Sequence, residues 1–127
     1  HILFSLILLD HQHMHIITKT SQQLRNIRTS CDYLNDLMRM LYQHIEPGMS
    51  LLQVEKLVTE FLEKRHLRSA FYGYEGFPGQ LCLSNNDCVV HGIPDRTILQ
   101  EGDLLKADLG IDYRGGISDS AFSIVVG

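Results

Sequence analysis

The stretch KADLGIDYRGGISDSAF, residues 106–122, decides the fold. It reads as two alternating β-strands around Arg114-Gly115-Gly116, with acidic residues among side chains otherwise suited to a sheet. On the first strand Leu105, Ala107, Leu109 and Ile111 share one face, and Lys106, Asp108, Gly110 and Asp112 the other. On the return strand Ile117, Asp119, Ala121 and Ser123 alternate with Ser118, Ser120, Phe122 and Ile124. If the Arg-Gly-Gly run sits in a four-residue loop, Asp112 lies opposite Ile117 and Asp108 faces Ala121. Asp119 is then the diagonal neighbour of Asp108 on the same side, about 7–8 Å away at the backbone. A loop one residue shorter would send the two carboxylates to opposite faces. Pairing parity is the requirement on which any shared role depends.

Two converging carboxylates repel each other unless they share a proton or a cation. Their hard oxygens suit Mg, Mn, Fe(II), Co or Zn. Metal pairs about 3.5–4 Å apart recur in aminopeptidases and phosphatases. The residues of the hairpin alone also allow a plainer arrangement. In that one, Asp112 and Asp119 cap the turn while Asp108 pairs with Lys106 or Arg114.

Upstream, the period changes from two to between three and four. Thr20-Ser21-Gln22-Gln23 offers a capping box, with Thr20 or Ser21 as N-cap. Behind it Leu24, Ile27, Cys31, Leu34, Met38, Leu41 and Ile45 form one apolar stripe, which Pro47-Gly48 ends. A second box, Ser50 to Gln53, opens a helix with Leu51, Val54, Val58 and Phe61 inward. Both stripes read as core, Cys31 and Met38 included. FYGYEGFPG, from Phe71, is a glycine- and aromatic-rich loop, followed by short β-like runs at 80–84 and 87–90 and by the turn HGIPD. Helices first and antiparallel strands second give an α+β layering, two amphipathic helices packed on an antiparallel sheet.

A chain of 127 residues has room for one domain with a real core. Its 44% hydrophobic and 20% charged content is that of a globular protein. A net charge of -4 argues against a nucleic-acid or anionic-membrane partner. The basic run EKRHLR at 63–68 reads as a solvated helix end. Cys31, Cys82 and Cys88 are odd in number and lack CxxC spacing, which favours reduced thiols in a cytoplasm. The apolar run in HILFSLILLDHQH is far short of the ~20 residues that span a bilayer, and it lacks signal-peptide flanks. Residues 1–13 therefore read as a disordered or spurious leader, and 14–127 as the domain.

Five ordered signals now combine. They are Tyr74-Glu75-Gly76-Phe77-Pro78, Cys82-Leu83-Ser84-Asn85-Asn86, Val89-Val90-His91-Gly92-Ile93-Pro94, and then Asp108 and Asp119, eleven positions apart. Together with Ile17 to Thr20 and Pro47-Gly48, they resemble the type I methionine aminopeptidases, of the pita-bread metallopeptidase fold. The resemblance runs from about residue 14 to 127 and implies the N-terminal half of that fold.

By that resemblance, Asp108 chelates one of two divalent metal ions (Co, Mn, Fe, Zn or Mg) and Asp119 bridges both. His91 contacts substrate near the scissile peptide and helps to stabilise the developing tetrahedral centre. Phe71, Tyr74, Phe77 and Cys82 line the methionine pocket, an apolar and polarizable slot of the kind a thioether favours. The implied reaction is hydrolytic removal of the initiator methionine from nascent proteins, with the ribosome as a further partner. Members of that family are longer than this chain, and one His and two Glu ligands lie in their second half. Those ligands are thus expected beyond residue 127. The expectation is a fragment that is inactive alone, with an apolar sheet face left exposed on its far side.

Two departures stand out. Lys106 replaces the asparagine usual two before the first aspartate and adds charge that opposes a metal, while Ser118 replaces the glycine before the second. Two other readings keep the fold: a proline-specific or creatinase-like hydrolase, or a non-catalytic module that binds ribosomes or peptides. The CxSxN and VxHGIP runs favour the methionine branch, and the two aspartates with His91 favour catalysis.

Overall fold

The computed structural model describes residues 19–71, 82–86 and 94–127. Helix α1 spans Ser21–His44 and α2 spans Leu51–Lys64. The strands are β1, Arg68–Ser69; β2, Cys82–Asn85; β3, Leu104–Tyr113; and β4, Gly116–Val125. All pairings are antiparallel. Strand β3 is central: β4 follows one edge for its whole length, while β1 and β2 sit end to end along the other.

Both helices start where the capping boxes place them. Thr20 Oγ1 accepts from the Gln23 N–H at 3.1 Å, and Gln23 Oε1 accepts from the Thr20 N–H at 2.7 Å. Ser50 and Gln53 repeat the exchange at 3.1 and 2.7 Å. Each box satisfies two backbone donors that the first turn leaves without partners. Helix α1 ends at Ile45, whose N–H reaches the Leu41 carbonyl at 2.9 Å before Pro47 and Gly48 turn the chain.

The core lies between α1, α2 and one face of the sheet. Leu34, Leu37 and Leu41 of α1 and Val54, Val58 and Phe61 of α2 meet Leu83, Leu105, Ala107, Leu109 and Ile111. The α1 stripe is rotated relative to its sequence reading. Leu37 is buried, whereas Leu24 is 47% exposed. Asn26 and Ile27 already touch the end of the hairpin, so Leu24, one turn further out, lies beyond the edge of the sheet.

Two β elements also differ from the sequence reading. The run expected at 80–84 is a strand at Cys82–Asn85, and residues 87–90 lie outside the described ones. Strand β1 has only two residues, too few for any periodicity to announce it.

The entry into β3 is tied to the exit of β2 by an amide–carboxylate cluster. Asp103 accepts from Asn86 Nδ2 at 3.0 Å, Asn85 Nδ2 at 3.2 Å and the Gln100 N–H at 2.9 Å. The Asn86, Gln100 and Asn85 bonds favour the ionised form and hold this carboxyl below its ordinary range. Among the described residues no helix is long and apolar enough to cross a membrane.

Candidate metal centre

The β3–β4 hairpin is built as its alternation requires. Asp108 pairs with Ala121, Gly110 with Asp119 and Asp112 with Ile117. This is the parity that makes Asp108 and Asp119 diagonal neighbours on one face. The pairing runs on to Tyr113 and Gly116, so the connection is a two-residue turn rather than a four-residue loop. Arg114 and Gly115 both take positive φ, 49° and 84°, as a type I′ turn needs. The two loop lengths differ by two residues, so the faces are unchanged.

Asp112 has a separate task. Its Oδ1 accepts the Gly115 N–H at 2.9 Å and caps the turn. That part of the plainer reading holds. Asp108 is exposed and Asp119 half-buried, both on the sheet face turned away from the helices. Lys106 is exposed on that face as well, opposite Ser123. The face is more polar than expected. Its exposed large apolar side chains among the described residues are Leu104 (38%) and Val125 (63%), cross-strand partners at the end remote from the turn.

Between the aspartates the floor is a glycine. A Cβ on Gly110 would stand 3.0 Å from the Ala70 Cβ, 3.3 Å from the Ser118 carbonyl oxygen and 3.7 Å from Phe71 Cζ. A side chain there would crowd the segment that follows β1, which the Ala70 N–H holds to the Gly110 carbonyl at 3.0 Å. Phe71 thus places the tip of its ring over Gly110, the residue directly opposite Asp119. Of the predicted pocket residues, Phe71 is the one whose described side chain is placed against the hairpin, at Gly110. The roles of Gly110 and Ala70 went unread in the sequence, although a glycine inside a strand is itself a sign of close approach.

Cys82 is the β2 backbone partner of Asp108, so the CxSxN run borders the first aspartate. Tyr74, Phe77 and His91 lie outside the described residues. Cys31 is a buried core residue; burial first, then the Asp32 and Asp119 carboxylates, push its thiol pKa up and keep it protonated.

The donor set fits part of a divalent-cation site. Two carboxylates share a face across a glycine gap, and oxygen donors of this kind are those that hard cations prefer. Among the described residues no group of three or more His, Cys, Asp or Glu side chains assembles. Two carboxylates by themselves do not fill the coordination of a hard cation.

Comparison with known proteins places the hairpin in a lineage. The sequence pattern of metallopeptidase family M24 matches residues 25–127. The chain belongs to metallopeptidase family M24. Within that family it is 36% identical to the methionine aminopeptidase of Helicobacter pylori over 114 residues, 90% of this chain and 45% of that protein. The crystal structure of methionine aminopeptidase from Thermotoga maritima superposes with a TM-score of 0.82 at 32% identity, covering 89% of this chain and 46% of that one. The Rickettsia prowazekii enzyme gives a TM-score of 0.83 at 25% identity over the same shares, 89% and 46%. This M24 chain thus spans somewhat under half the length of the relatives it matches, and it carries their pita-bread architecture of helices on an antiparallel sheet.

Proposed function

We propose that this chain is the N-terminal half of a methionine aminopeptidase site, removing the initiator methionine from peptides and nascent proteins. The observation that carries the reading is the register that aligns Asp108 with Ala121 and Asp119 with Gly110, so that both carboxylates leave one face as diagonal neighbours. Asp108 and Asp119 would hold the divalent ions. Bound there, the ions supply Lewis acidity toward a peptide carbonyl and toward water.

The chain's own residues would do the rest. Phe71, over Gly110, gives an apolar wall beside the aspartates, suited to a methionine thioether. Tyr74, Phe77 and Cys82 would extend that wall, and His91 would donate toward the carbonyl oxygen as charge develops on it. Lys106 opposes metal binding on the same face, so the site would rely on further anionic ligands. In the matched relatives, more than half of the length lies outside the part this chain covers. The remaining ligands are assigned to that part.

The test is metal titration of residues 14–127, alone and with a complementing second half, assaying a Met-Ala-Ser peptide. Turnover is expected in the mixture and absent from the short chain. Turnover by the short chain alone would refute the partial-site reading. A mixture that prefers Xaa-Pro substrates would move the chain to the proline-specific branch.

A further inference from the structure

Two serine side chains are fully buried between α1 and the hairpin. Ser30 and Ser118 are each 0% exposed, and their hydroxyl oxygens are 2.7 Å apart. Ser30 Oγ donates to the Ile111 carbonyl at 2.9 Å, and Ser118 Oγ lies 3.1 Å from the Ser30 carbonyl. With the Ser30 proton committed to Ile111, the Ser118 proton faces both the Oγ and the carbonyl of Ser30. Ile111 and Ser118 are themselves cross-strand partners. One pair of hydroxyls thus joins α1, β3 and β4 at a single point.

Stability alone accounts poorly for this pair. Buried hydroxyls surrender hydration that their mutual bonds roughly return, and two apolar groups of the same shape would hold the layers about as well. What a hydroxyl pair adds is direction. It fixes both the height and the rotation of Ser118 against the helix. The spacing supports this. From Asn26 to Ser30 the helix rises about 6 Å, and from Gly116 to Ser118 the strand advances about 6.6 Å. The helix therefore meets β4 at two matched points, the Asn26–Ile27 backbone against Gly116 and Ser30 against Ser118. The residue after the second point is Asp119, whose side chain leaves the opposite face of the strand.

We infer that the Ser30–Ser118 hydroxyl pair is a positioning device for Asp119, setting from behind the sheet where that carboxylate stands relative to Asp108. The inference rests on the reading of Asp119 as a metal ligand. Neither serine would touch the metal or the substrate, because both hydroxyls lie on the helix side of the sheet, opposite the face that carries Asp108 and Asp119.

The test is Mn²⁺ binding to the 127-residue chain, followed by the electron-spin signal of free Mn²⁺, with thermal unfolding measured in parallel. Ser118→Ala is expected to weaken Mn²⁺ binding about fivefold, the affinity equivalent of one neutral hydrogen bond. Ser30→Ala is expected to do the same from the far side of the interface. It keeps α1 folded, because alanine is the strongest helix former. The double variant Ser30→Ala/Ser118→Ala should be no weaker than either single one, since one deletion already breaks the pair. Lower melting temperatures with unchanged Mn²⁺ affinity would overturn the inference and leave the pair a packing feature. Losses that simply add would overturn it as well. Asp108→Asn and Asp119→Asn separate the two levels. If they leave Mn²⁺ binding intact, the metal reading itself fails; if they abolish it while the serine variants bind normally, only the positioning role fails.

Discussion

Asp119→Asn, in the chain complemented with a second half, is expected to lower metal-dependent methionine release by about 100-fold or more. Loss of even an outer partner of a metal ligand costs about 10- to 100-fold in affinity or activity, and loss of a carboxylate that would hold the metal directly should cost no less. The amide keeps the size of the side chain and one oxygen but removes the charge that holds a cation. Asp112→Asn is the matched control. It makes the same chemical change on the same face, yet Asp112 spends its Oδ1 on the Gly115 N–H, a bond that an asparagine oxygen can also accept. Activity should therefore stay within about twofold of the unaltered chain, as for a substitution worth no more than about 0.5 kcal/mol. Equal damage from both changes would mean that general charge on this face, rather than the Asp108–Asp119 pair, governs the activity.

Gly116→Ala should be the most destabilising single-methyl change in the hairpin. A Cβ at this position would lie 2.5 Å from the Asn26 carbonyl carbon, 2.6 Å from its oxygen and 2.7 Å from the Ile27 nitrogen. These are helix backbone atoms, which cannot rotate out of the way. Overpacking commonly costs 1–3 kcal/mol, and a clash against rigid backbone belongs at about 3 kcal/mol or beyond. For a chain of this size, that lowers the melting temperature by roughly 10 °C. The neighbouring glycine gives the comparison. Gly115 has nothing within 4 Å of its missing Cβ, and its φ of 84° is what calls for glycine. Gly115→Ala should then cost only the left-handed backbone penalty, about 1–2 kcal/mol. Thermal unfolding of the two variants decides the matter: a larger loss at Gly115 than at Gly116 would contradict the close approach of helix and hairpin.

Local chemistry was the legible part of this fold. Both capping boxes can be read because each lies within four residues of sequence, and the two strands follow from the period-two alternation around Arg114-Gly115-Gly116, whereas the pairing parity stands in the sequence only as a requirement that the register meets. The length of the turn could not be read, because a two-residue connection demands positive φ at Arg114, a conformation that few side chains other than glycine adopt. Ser30 was hidden for a different reason. It sits beside an apolar stripe as an ordinary helical serine, and its meaning depends on Ser118, 88 residues away in the chain. Phe71 was expected in the methionine pocket through family resemblance alone. The signal that anchors it, a side-chain-free Gly110 beneath its ring, becomes visible only once β1 and β3 are paired.

The most direct test of the account is where Mn²⁺ broadens the amide signals of the chain in a two-dimensional NMR spectrum. Broadening should centre on Asp108, Gly110, Asp119 and Ala121 and disappear in the variant carrying both Asp108→Asn and Asp119→Asn. Broadening centred instead on the Asp103 cluster, or unaffected by that double change, would contradict a metal centre built on this hairpin.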